Sequence, residues 1–100
     1  MTTHNQAWIL EACILATLSE KETYGYELAK LNLLGISQST IYPVLRRLTE
    51  KGHLNVSKQV YQTRQRKIYS ISPTGLNQLK QYKNDWFTFQ NTVNEIVFSH

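Results

Sequence analysis

One cysteine, one methionine, two prolines and four glycines are all that this 100-residue chain contains of those four residue types. A lone Cys13 closes no internal bridge, which excludes a disulfide scaffold. Sparse Gly and Pro beside 11% aromatic residues exclude collagen-like and disordered chains. The apolar run from Ala7 to Leu18 is too short to span a bilayer, and no basic segment leads into a small-residue cleavage site. A cytoplasmic protein without a membrane partner is expected. His4, His53 and His100 lack metal-ligand spacing, and no Gly-rich phosphate loop occurs. Cys13 lies in apolar surroundings that give a thiolate no cationic support, so it reads as a small core residue. No enzyme activity, metal or cofactor is therefore expected.

Acidic residues are missing altogether between positions 51 and 84. Residues 1–36 carry four Glu against two Lys, 37–52 three cations against Glu50, 53–69 four cations and no acid, and 70–100 two of each sign. The net charges are −2, +2, +4 and 0, which make up the overall +4. A pI near 9.3 fits DNA, RNA or an anionic membrane alike. A neutral body with one basic stretch points more narrowly to a nucleic-acid footprint.

The length sets a single domain with a modest core, which a partner subunit would help to cover. Residues 6–18 are apolar almost all round, interrupted by Glu11 and Thr17, and predict a helix buried on two sides. Apolar residues at 24, 28, 31 and 34, stopped by Gly35, predict a second helix over Tyr24–Leu34. Ser37, or alternatively Ser39, caps a third, with Ile36 and Ile41 spaced as a hydrophobic staple. In that helix Ile41, Val44, Leu45 and Leu48 face the core, while Gln38, Tyr42 and Arg46 look outward. Pro43 either confines regular helix to the residues beyond it or bends the first turn. Gly52 closes the helix, and Lys51 in its last turn complements the dipole.

Alternation over 54–60 and 67–72 predicts two short antiparallel strands. Residues Tyr61 to Arg66 contain no Gly, so a tip longer than two residues is expected between them. Ser72 caps the last helix, with Pro73 in its first turn. There Leu79, Tyr82, Trp86, Phe89, Val93 and Ile96 are spaced 3, 4, 3, 4, 3, a heptad seam suited to dimerisation. The fold class is mainly α with a small β-wing: a winged helix-turn-helix over 1–75, then a C-terminal dimerisation helix over 76–100 packed on the first helix.

The candidate DNA-contacting residues follow from this order. Ser37, Gln38, Ser39, Thr40, Tyr42 and Arg46 occupy the leading end and outer face of the third helix, where a recognition helix meets base edges and phosphates. The competing reading is an ordinary solvated helix face. Arg64, Arg66 and Lys67, with Lys58, would sit on the wing and grip the sugar-phosphate backbone. The competing reading there is an edge strand guarded by charge. Trp86 and Phe89 suit a dimer core, or a floor on which Trp8 and Trp86 bind a planar aromatic effector.

Tyr24-Gly25-Tyr26-Glu27-Leu28, then Ser39-Thr40-Ile41-Tyr42-Pro43-Val44-Leu45-Arg46-Arg47-Leu48 with Gly52, then Arg66-Lys67-Ile68-Tyr69 and Thr74-Gly75, together resemble the PadR family of transcriptional regulators. The likeness spans roughly residues 7–95. It implies a bacterial cytoplasmic homodimer whose C-terminal helices cross between subunits. It further implies that the third helix and wing bind palindromic double-stranded operators, usually to repress, with release by a phenolic acid or planar drug in some members. Trp86 falls near the aromatic that multidrug-responsive members place in the dimer pocket. The chain departs from the family pattern in a short linker over Leu33–Ile36 and in a wing tip, Gln62-Thr63-Arg64-Gln65, without Gly or Pro. Ile68 stands in place of a tyrosine, and the single C-terminal helix matches the short members. A different class of function, a winged helix used as a protein-interaction or assembly module, would use the same basic surface against an acidic partner.

Overall fold

A computed structural model of the chain describes residues 7–30 and 35–99. Three of its helices are α1 (Ala7–Glu20), α2 (Gly25–Lys30) and α3 (Gln38–Glu50), and a strand β1 (Thr23–Tyr24) separates the first two. A hairpin of β2 (Leu54–Tyr61) and β3 (Arg64–Ile71) follows, and the long helix α4 (Pro73–Phe98) ends the chain. The three-stranded antiparallel sheet has the order β1-β3-β2. Among the described residues no helix is long and apolar enough to cross a membrane.

The core gathers one face of each element. Leu10, Ile14, Leu15 and Leu18 of α1 meet Leu28 of α2, Ile41, Val44, Leu45 and Leu48 of α3, Leu54 and Tyr69 of the sheet, and Leu79 of α4. The predicted inward face of α3 is the observed one. Its 3.6-residue period leaves Tyr42 and Arg46 outside, which is what positions the site.

Several of the expected features differ in the structure. The wing has no long tip: Tyr61 pairs with Arg64, leaving only Gln62 and Thr63 in the turn. Gln62 takes the positive φ of 58° that the first position of such a turn needs, at a steric cost glycine would not incur. Pro43 does not confine α3 to the residues beyond it, since the helix runs unbroken from Gln38 to Glu50 through the proline. Its ring removes one hydrogen bond, the one that would reach Ser39, close to the helix start. β1 was not expected, and the second helix starts at Gly25 instead of Tyr24. The apolar positions 31 and 34 and most of the linker Leu33–Ile36 lie outside the described residues.

One corner joins the helix-turn-helix to α4. Gly52, with φ +81°, ends α3 in a double reversal: its N–H bonds Thr49 O at 3.0 Å, and His53 N–H bonds Leu48 O at 2.9 Å. Ser72 then donates its N–H to His53 O at 3.1 Å and its hydroxyl to Gly52 O at 2.5 Å, while Oγ accepts Gly75 N–H at 3.0 Å. One serine thus caps α4 and fastens it to the end of α3. The approach is close enough to require Gly75, because a Cβ there would lie 2.1 Å from His53 O.

A buried carboxylate also ties the helices together. Glu11 of α1 is 5% exposed. Its Oε1 accepts the Tyr82 hydroxyl of α4 at 3.2 Å and lies 3.7 Å from Lys51 Nζ, and its Oε2 lies 3.6 Å from an Arg47 guanidinium nitrogen. Burial, then the charge of Glu11 and the hydrogen bond to it, push the Tyr82 phenol up to about 12.

Both joints can be tested by stability. Gly75→Ala should cost about 1–3 kcal/mol in urea unfolding, since the added carbon meets backbone and α4 must shift. A phenol raised from 10.0 to about 12 favours the folded state below about pH 10, a contribution lost as pH rises through about 12. Between those values wild-type unfolding midpoints should fall more steeply than those of Tyr82→Phe; parallel curves would separate Tyr82 from the alkaline loss.

Candidate nucleic-acid interface

α3 presents its N-terminal turn to solvent. Ser37 stands at the N-cap in extended conformation, but its hydroxyl caps no backbone N–H. It lies instead 2.9 Å from Ser39 Oγ and 3.3 Å from Thr40 Oγ1. Three hydroxyls therefore cluster over the positive end of the helix dipole, a setting that suits an anionic oxygen. Gln38, Tyr42 and Arg46 follow at successive turns on the exposed side, with Tyr42 40% exposed. The adjacent arginines divide: Arg47 turns towards Glu11, and Arg46 remains on the outer surface.

The wing places its cations by register. Arg66 stands opposite Gln59, Arg64 opposite Tyr61 and Lys67 opposite Lys58. With a side-chain period of two, Arg64 and Arg66 share one face of the ribbon and Lys58 and Lys67 the other. Arg64 and Lys67 are exposed, Arg66 half-buried. The expected trio thus splits across the ribbon, and Lys58 joins it as a cation directly opposite another. Such a like-charged rung is unfavourable without a counter-charge.

Helix and wing meet in a cleft of about 440 Å³ lined by Gly25, Tyr26, Tyr42, Arg64, Gln65, Arg66, Lys67 and Tyr69. The close approach in this cleft needs Gly25, since a Cβ there would fall 2.9 Å from the Tyr69 ring and 3.5 Å from that of Tyr42. Burial, then the neighbouring Tyr42, raises the Tyr69 phenol above its ordinary value. The structure thus brings Tyr42 together with Arg64, Arg66 and Lys67. It adds Tyr26 and Tyr69, which the sequence reading did not single out as site residues. Their sign lay in the string Tyr24-Gly25-Tyr26, whose small middle residue lets a helix start against an aromatic ring.

A second feature lies between α1 and α4. An apolar groove of about 490 Å³ is walled by Trp8, Ile9, Ala12, Cys13 and Ala16 on one side and Leu79, Tyr82, Trp86 and Phe87 on the other, with Lys83 at its edge. Trp8 lies 5.8 Å from Tyr82, 6.5 Å from Trp86 and 6.2 Å from Phe89 between ring centroids. The heptad series divides here. Leu79 is buried in the core and Tyr82 is half-buried against it, whereas Trp86, Phe89, Val93 and Ile96 remain 38–60% exposed.

Residues 14–81 match the Transcriptional regulator PadR-like family. A PadR-like transcriptional regulator from Bacillus cereus is 35% identical, with 96% of this chain and 98% of that one covered and a TM-score of 0.79. A Streptococcus mutans protein is 33% identical, with 91% and 88% covered and a TM-score of 0.81. A Bacillus subtilis PadR solved in complex with operator DNA is 26% identical, with a TM-score of 0.69 over 74% of this chain and 47% of that one. No curated protein matches the sequence.

The lysine rung can be checked in the isolated protein. Lys67→Glu turns a repulsive cross-strand pair with Lys58 into an attractive one and should stabilise the fold by about 0.2–1 kcal/mol in urea unfolding. No gain at low salt would show that the two side chains do not feel each other.

Proposed function

The chain belongs to the PadR-like family of transcriptional regulators, and we propose that it binds operator DNA as a homodimer through α3 and the wing. Ser37, Gln38, Ser39, Thr40, Tyr42 and Arg46 would enter the major groove, and Arg64, Arg66 and Lys67, with Lys58, would hold phosphates. The observation that carries this reading is the convergence of α3 and the wing's cations on one cleft, in a segment with no carboxylate from residue 51 to 84. The Bacillus subtilis relative bound to operator DNA supports the same direction.

The second subunit accounts for the rest of α4. Trp86, Phe89, Val93 and Ile96 leave an apolar stripe in water on a single copy, which a monomer rarely does. Covering the stripe with another α4 places two recognition helices about one turn of DNA, ~34 Å, apart on a palindromic site. The output we infer is repression, by occupancy of the operator. The almost wholly apolar groove around Trp8 and Trp86 favours an additional role, uptake of a planar aromatic or phenolic ligand that shifts DNA affinity.

Arg64→Ala or Lys67→Ala should weaken binding to all duplexes and lower the slope of log affinity against log salt by about 1 each, whereas Ser39→Ala and Tyr42→Ala should change sequence preference. Sequence-indifferent, weak binding by the wild type would favour an assembly module instead. Val93→Glu lies outside the core, so it should leave the fold intact, sediment as a monomer and bind the operator poorly. A folded dimer in that variant would rule out the α4 interface.

A further inference from the structure

We propose that Tyr26 is a positioning residue for the wing: its ring holds the Arg66 guanidinium in place for DNA. The proposal rests on the DNA-binding reading above. It starts from where β1 stops. β1 pairs only Thr23 with Tyr69 and Tyr24 with Ile68, so beyond Ile68 the outer edge of β3 has no strand beside it among the described residues. The first turn of α2 continues the support at that point. Arg66 Cζ lies 4.6 Å from the centroid of the Tyr26 ring, and Tyr26 stacks on Tyr24 at 5.7 Å. The Tyr24 hydroxyl donates to Gln59 Oε1 at 2.9 Å.

Gln59 and Arg66 are direct cross-strand partners. The stacked tyrosines therefore grip both members of one rung of the ribbon, one by a hydrogen bond and the other by a cation over a ring face. An arginine otherwise loses several rotatable bonds when it settles on a phosphate, and holding it beforehand removes that cost from binding. The choice of a ring matters. No carboxylate pairs with Arg66 among the described residues, so the guanidinium is oriented without being neutralised, and its charge remains available to a phosphate. Tyr26 and Arg66 line the same cleft as Tyr42, which sets the held cation at the junction of wing and recognition helix.

Duplex-DNA affinity should be measured for Tyr26→Phe, Tyr26→Leu, Arg66→Ala and the double variant Tyr26→Leu/Arg66→Ala. Tyr26→Leu should weaken binding about two- to fivefold, the size of an exposed cation–ring contact, and more than Tyr26→Phe, which keeps the ring. The double variant should be no weaker than Arg66→Ala alone. Full affinity in Tyr26→Leu, or equal losses with and without Arg66, would overturn the proposal. A second measurement needs no DNA: Arg66 Nε relaxation should show a more mobile side chain in Tyr26→Leu than in Tyr26→Phe. Unchanged mobility overturns the clamp even if the protein binds DNA. Wild-type protein that binds no duplex, with the mobility difference present, would instead refute the DNA reading and leave the clamp in place.

Discussion

The Glu11 carboxylate touches α4 through Tyr82 and α3 through Arg47 and Lys51, and the mutual placement of those helices depends on it. An ionised group as buried as this needs opposing charge and donors around it. Two cations reach it from α3 at 3.6 and 3.7 Å, both about half exposed, so the attraction acts from the solvent edge inward. Its weight lies less in net stability than in specifying one arrangement. Were α1 to rotate, the carboxylate would lose its phenol or its cations. The groove that Tyr82 helps to wall and the helix that carries Tyr42 and Arg46 are both referred to that point.

Backbone groups and one serine hydroxyl fix a second joint. At the Gly52–Ser72–Gly75 corner the end of α3, the start of α4 and the edge of the sheet share hydrogen bonds. The wing leaves from the same place, between His53 and Ser72. α3, the wing and α4 therefore all leave from one corner, and the tyrosine pair reaches the wing farther out, at Arg66.

Periodicity made much of this legible. The apolar positions of α3 and the Ser72-Pro73 start of α4 were visible because each is a local pattern several residues long. What escaped notice was short or distant. Two residues of β1 have no period to detect. Glu11 looked like an interruption of an apolar helix, since its partners lie 36, 40 and 71 positions away in sequence. The heptad spacing of α4 did not say that Leu79 would be covered by α1 and the rest of the core and Trp86 left exposed. The absence of glycine at the wing tip was misleading, because one glutamine adopts the conformation usually left to glycine. Tyr26 and Arg66, forty positions apart, meet only through the sheet.

α4 is one uninterrupted helix of 26 residues, about 39 Å long, whose first turns belong to the core and whose remainder projects past it. Continuity of this kind makes helical phase a constraint. One residue inserted between Tyr82 and Trp86 would advance the exposed aromatic stripe by ~1.5 Å and swing it by ~100° about the axis, away from the α1 side, while the core contacts of Leu79 and Tyr82 stayed as they were. Length changes there are tolerable only in near-whole turns, so relatives of different reach should differ by threes and fours, as steps of a screw thread.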